Sequence, residues 1–218
     1  MNPRRILMKS GVGSPLRLEE DHRVGVSPDE PALALSHDLA VDLRQWSQEH
    51  PEHGEPTDPH VRRHARDGLA LGTRLAAELG PAYTVLFHDQ VHQMSHSVCW
   101  QCGGFHWRAQ AHEPLVVTRT IQVIGEYKYW PLRFAADADF APDDPVVGLG
   151  LSETLVDELY AWSRSVDDLV EAGINPAARS GTPVLSRREI VERGESLSRT
   201  LADELGNGWT VEYARLAH

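Results

Sequence analysis

The chain has 218 residues, 41% of them hydrophobic, which is apolar material for one medium domain or two small ones. Its 21 basic residues against 32 acidic ones give a formal charge of -11, which excludes a general nucleic-acid binder, since phosphate contacts need a basic surface. No apolar run approaches a membrane span or the core of a signal peptide, so the expectation is a cytoplasmic protein with neither a nucleic-acid nor a membrane partner.

Residues 5–9 and 15–19 flank Gly11, Gly13 and Ser14 and predict a short hairpin. An acidic loop around Asp21 follows. Ser36 then stands before a helical pattern as a natural N-cap, and Leu39, Leu43 and Trp46 form its apolar stripe. After an irregular, Pro-rich connection, Val61, Gly68, Leu71, Leu75 and Leu79 mark the apolar face of a second helix that Gly80 ends. YTVLF, residues 83–87, reads as the closing strand.

The same order recurs. Residues 15–47 match residues 131–163 without a gap, with 11 of 33 positions identical. Residues 62–85 match 188–211, with 10 of 24 identical. The second copy repeats the N-cap as Ser152, the stripe as Leu155, Leu159 and Trp162, and the second helix as Ile190, Gly194, Leu197, Leu201 and Leu205, ended by Gly206. A helix-interior glycine costs about 1 kcal/mol relative to alanine, so Gly68 and Gly194 point to close approach of a neighbouring element. The connection after Trp162 is longer and reads as irregular. The expected architecture is therefore α+β: a tandem duplication of a β-β-α-α-β unit, each a small antiparallel sheet covered by two helices. Residues 1–88 are the first repeat, 89–116 an insert or linker, and 117–218 the second repeat. Recurring polar residues (Arg17 and Arg133, Ser47 and Ser163, Glu78 and Glu204, Thr84 and Thr210) are expected to serve as caps, ladder contacts and surface ion pairs.

The insert holds the most distinctive chemistry. Both cysteines of the chain, Cys99 and Cys102, lie there with a dense run of histidines. Thiolate and neutral imidazole are the preferred zinc ligands, and a C-x2-C turn can place two sulfurs on one ion. Cys99, Cys102 and Gly103-Gly104 resemble a zinc knuckle, with His106 as third ligand and His96 or His112 as fourth. Two other readings stand beside this one: a polar fusion linker, and a dithiol redox pair. The sequence carries none of the phosphate-binding, dinucleotide-binding, zinc-protease or nucleophile-elbow motifs, which favours a non-enzymatic reading.

The second copy also differs from the first near its opening hairpin, where Tyr129-Trp130 replace Gly13-Ser14. With Tyr127 they make a candidate aromatic interaction patch. The pattern of Trp130–Leu132, Leu151–Trp162 and Leu197–Gly206 resembles small bacterial proteins built from a single copy of this unit, a resemblance that carries no activity with it. Duplication, acidity and the aromatic patch point to a module that binds another protein, basic in character, in the manner of an immunity or antitoxin partner. A zinc protein is the alternative.

Overall fold

The computed structural model describes residues 3–18, 24–51, 58–107, 119–134, 139–174 and 185–214. The chain divides into two compact units, Met1–Pro114 and Leu115–His218. Asp21, Asp137 and parts of both helix connections, 52–57 and 175–184, lie outside the described residues.

The first unit runs β1 (Arg4–Met8), β2 (Leu16–Leu18), β3 (Gly25–Val26), α1 (His37–Gln48), α2 (Pro59–Leu79), β4 (Tyr83–Asp89), β5 (Met94–Val98) and β6 (Phe105–His106). Its sheet has the order β3-β2-β1-β4-β5-β6. The expected hairpin is present, with Ile6 opposite Leu18 and Met8 opposite Leu16. The sheet is mixed, however, and not purely antiparallel: β4 lies parallel to β1, with Ile6 beside Val85 and Met8 beside Phe87. Two intervening helices form a crossover long enough to bring the chain back in the same direction, which a tight turn cannot do. Within the segment expected as an insert or linker, Met94–Val98 and Phe105–His106 join this sheet as strands. Val98 enters the core, and Phe105 packs against it.

The second unit runs β7 (Thr120–Ile124), β8 (Leu132–Phe134), β9 (Asp139–Phe140), α3 (Glu153–Ile174), α4 (Arg187–Leu205) and β10 (Thr210–Ala214). The order β10-β7-β8-β9 repeats β4-β1-β2-β3. Here too the closing strand is parallel to the opening one, Ile121 beside Val211 and Val123 beside Tyr213. Each unit gains a third short strand, β3 or β9, that the β-β-α-α-β reading omits. Helix α3 continues to Ile174, well beyond Trp162, where the sequence reading placed an irregular connection. Val166 and Leu169 extend the stripe of Leu159 and Trp162 onto the core.

The recurring residues have matching physical tasks. Ser36 and Ser152 cap α1 and α3, their hydroxyls accepting from the amides of Leu39 (3.4 Å) and Leu155 (3.3 Å). Each hydroxyl in turn donates to a carboxylate from the second helix of its unit, Glu78 at 2.7 Å or Glu204 at 2.6 Å, and that carboxylate also accepts the serine amide. A negative charge so placed suits the positive end of the first helix. The indoles of Trp46 and Trp162 donate to the carbonyls of His64 and Ile190, both at 2.9 Å. One turn further along, Gly68 and Gly194 let the indole rings lie against the helix backbone. A Cβ at Gly68 would come within 2.6 Å of Trp46, and one at Gly194 within 2.8 Å of Trp162. The close approach of a neighbouring element expected from the sequence is that of an aromatic ring, and it accounts for both glycines.

Helices α2 and α4 stop where the backbone takes positive φ, 58° at Gly80 and 72° at Gly206, a conformation that glycine adopts without a Cβ penalty. None of the described helices is long and apolar enough to cross a membrane.

Candidate functional site

Two places in the molecule carry chemistry that packing alone does not require. The first is the far edge of the first unit's sheet, where β4, β5 and β6 bring the Cys/His segment together. β5 pairs antiparallel with β4, setting Phe87 opposite His96. β6 returns beside β5 with Val98 opposite Phe105 and Ser97 opposite His106. The turn between β5 and β6 holds both cysteines. The amide of Gly103 donates to the Cys99 carbonyl, and the amide of Cys99 to the Gly104 carbonyl, both at 2.9 Å. Gly103 has a φ of 68°, which the turn needs and a side chain would oppose.

In this turn the amide of Gln101 donates to Cys99 Sγ and that of Gly104 to Cys102 Sγ, both at 3.4 Å. Both cysteines stand as thiols. Partial burial raises the Cys99 thiol pKa, but the amides of Cys102 and Gln101 aimed at the sulfur outweigh it and lower the value. His106 turns its Nε2 to within 3.5 Å of Cys102 Sγ. One ligand atom from each of Cys99, Cys102 and His106 lies within 4.8 Å of the others.

His96 does not join that group, contrary to the sequence reading. It sits on the core side of β5, fully buried, with its ring edge-on to Phe105. It belongs with Asp89 and His92 in a separate buried cluster. There Asp89 Oδ1 accepts from the amides of Val91 (2.8 Å) and His92 (3.3 Å), and Oδ2 contacts His92 Nδ1 at 2.5 Å. His96 Nε2 lies 3.7 Å from the same Oδ2. Burial would raise the Asp89 carboxyl, but these two histidines hold it below the usual carboxylate range. The arrangement explains how a carboxylate 1% exposed sits at the end of a core strand. His112, the other proposed fourth ligand, lies outside the described residues.

The second place is the turn joining β7 to β8. Tyr127 and Tyr129 are exposed, by 37% and 52%, while Trp130 is half-buried with its ring edge-on to Tyr160. The three aromatics therefore do not form one patch: two face outward and Trp130 packs with Val156, Tyr160 and Ala141. The turn is pinned to α3. The amide of Lys128, a residue with φ of 64°, donates to Asp167 Oδ1 at 2.8 Å, and its ammonium meets Glu171 at 2.9 Å. Ser163 Oγ donates to the Tyr129 carbonyl at 3.4 Å. Lys128 lies over the Tyr127 ring and Arg133 over the Tyr129 ring, at 5.1 and 5.8 Å. Arg133 is itself paired with Glu126 at 2.9 Å. Rigid, exposed tyrosines among such charges have the chemistry of a protein-binding anchor.

The corresponding turn of the first unit has no aromatic residue. Gly11 and Val12 border an open cleft of about 490 Å³ that is lined by Ser10, His50, His88 and Gln90, among others. Ser47 Oγ holds this turn through the Gly11 carbonyl at 3.0 Å. The two Ser side chains, Ser47 and Ser163, thus tie the first helix to the opening turn in each unit.

Comparison with known families separates the two units further. Residues 119–216 match the family described as Serratia CdiI immunity protein-like. The matched segment lies within the second unit and spans all of its strands and helices, the aromatic turn included. No curated protein matches the chain. The likeness supports a protein-interaction role of the immunity type.

Proposed function

We propose that the chain is an immunity-type protein that binds a toxin polypeptide and blocks it, and that the second unit supplies the binding surface. The family likeness of residues 119–216 carries this reading. Two features of the same unit agree with it. Residues 117–218 hold 17 acidic against 10 basic residues, a net charge of -7, which steers a basic partner toward this unit. Tyr127 and Tyr129 stand exposed on a turn whose backbone is already fixed by Asp167 and Ser163, so little ordering entropy is lost on docking. The common strand order and paired residues of the two units also support their origin by duplication, with the second copy keeping the partner-binding role.

The test is protection. Candidate toxin domains encoded beside this chain are expressed in a sensitive host with and without it. Growth rescue by the full chain, with a stable complex on gel filtration, is the expected result. Failure to rescue from any neighbouring toxin, with the chain abundant and folded, contradicts the reading.

A further inference from the structure

The Cys/His turn of the first unit lies outside the family-matched segment and has no counterpart in the second unit. Its geometry points to a zinc-type divalent metal site formed by Cys99, Cys102 and His106. Three observations carry this assignment.

The first is ligand spacing. Zinc binds sulfur at about 2.3 Å and imidazole nitrogen at about 2.0–2.1 Å in tetrahedral geometry, so a cysteine sulfur and a histidine nitrogen on one ion lie about 3.6 Å apart. Cys102 Sγ and His106 Nε2 are 3.5 Å apart. The second is the conformation of the turn. Backbone amides of Gln101 and Gly104 already aim at the two sulfurs, which supplies the outer-shell support that metal-bound sulfur uses. The third is rigidity. The turn is closed by the two hydrogen bonds between Cys99 and Gly103-Gly104, and α2 fastens it through Thr73 Oγ1, which donates to the Gly103 carbonyl at 3.3 Å.

The neighbouring buried cluster fails the same distance test. Two ligands of one ion at about 2.0–2.2 Å each stand about 3.4 Å apart in tetrahedral geometry, whereas Asp89 Oδ2 and His92 Nδ1 are 2.5 Å apart. That separation is a hydrogen bond. Asp89, His92 and His96 therefore support the hairpin, while the cysteine turn holds the ion. Uptake converts two thiols to thiolates, and their protons leave to solvent. With two sulfurs and one imidazole the site selects zinc over calcium or magnesium, which prefer oxygen. Bound metal joins the turn to the returning strand β6 and staples the sheet edge that β5 and β6 add.

Cobalt is the probe. The full chain, made without a polyhistidine tag, stripped of metal and kept reduced, is titrated with Co(II), followed by visible and near-ultraviolet absorption, and then back-titrated with zinc. One cobalt per chain, with tetrahedral and sulfur-to-cobalt charge-transfer bands that zinc abolishes, is expected. Cys99→Ser or Cys102→Ser should weaken cobalt binding by more than about tenfold, at least the loss seen for an outer-shell partner. His96→Gln should leave the spectrum unchanged. Zinc should also shield both thiols of the unmodified chain from alkylation, a readout independent of how the variants fold. Absent charge-transfer bands, bands that survive both serine substitutions, or thiols alkylated equally with and without zinc overturn the assignment.

Discussion

The two units use one scaffold for different surfaces. In both, a parallel pair of strands is flanked by an antiparallel ladder, a tryptophan lies on a helix glycine, and a glutamate from the second helix secures the serine that starts the first. They diverge at the opening turn and beyond the closing strand. The first unit has a small glycine turn beside a cleft, and extends its sheet with the Cys/His hairpin. The second has exposed tyrosines, and no strand beyond β10 among the described residues. Residues that make the fold are thus held in common, and residues that make a surface are not.

The scaffold half of this comparison is most exposed to Trp46→Ala and Trp162→Ala. Each removes a buried indole and its hydrogen bond to a helix carbonyl, at an expected cost of about 3–5 kcal/mol. Hydrogen exchange read peptide by peptide should show loss of protection confined to the unit that carries the substitution. Similar loss in both units after either change breaks the picture of two separately packed cores.

The next largest effect separates the units by pH. His64 occupies the position of Ile190 in the second unit, is buried against Trp46, and has its pKa pushed from 6.5 down to about 4 by that burial and then by His50. Between those values the unfolded chain binds a proton that the folded unit excludes, so the contribution is intact above pH 6.5 and is lost as pH falls to 4. The loss is at most about 3.5 kcal/mol, one pKa unit being worth about 1.4 kcal/mol. Denaturation of His64→Ile across this range should show a flatter profile than the unmodified chain. An unchanged slope would place the acid sensitivity elsewhere.

Gly68→Ala and Gly194→Ala follow. In an open helix either change would stabilise by roughly 0.5–1 kcal/mol, but here the new methyl meets an indole and should cost about 1–3 kcal/mol. Stabilisation in urea melts by either alanine would deny the close approach. Smaller still, Glu78→Gln and Glu204→Gln replace a charged acceptor and should each cost about 0.5–1.5 kcal/mol. A clear difference between them would show that the two clamps are not equivalent.

Much of this scaffold is legible from residue spacing. Ser36 and Ser152, the leucine stripes, the close approach to Gly68 and Gly194 and the terminal glycines all act through neighbours on one helix or a helix next to it, where a period of 3.6 residues reports the packing. The parallel pairing of β1 with β4 has no such local signal, because it joins residues about 80 positions apart. Strands β3 and β9 are only two residues long, Gly25–Val26 and Asp139–Phe140, too short to show alternation. The extra length of α3 did have a signal in Val166 and Leu169, obscured by the glycine and proline that follow. Closeness in sequence groups His96 with Cys99. On a strand, facing decides: His96 points to the core opposite Phe87, while the cysteines occupy the turn beyond it. Sequence proximity likewise groups Trp130 with Tyr127 and Tyr129, but within the turn Trp130 packs inward against Val156 and Tyr160 while the tyrosines stay exposed.

The most direct test concerns the surface half of the comparison. Affinity of the purified neighbouring toxin is measured by calorimetry for the unmodified chain, for Tyr127→Ala with Tyr129→Ala, and for Val12→Ala in the first unit's turn. Loss of the two exposed tyrosines should weaken binding by at least about tenfold, equivalent to about 1.4 kcal/mol, with thermal stability changed by no more than about 0.5 kcal/mol, and Val12→Ala should bind as the unmodified chain does. Unchanged affinity without the tyrosines, or equal loss on changing Val12, would contradict the assignment of partner binding to the second unit's aromatic turn.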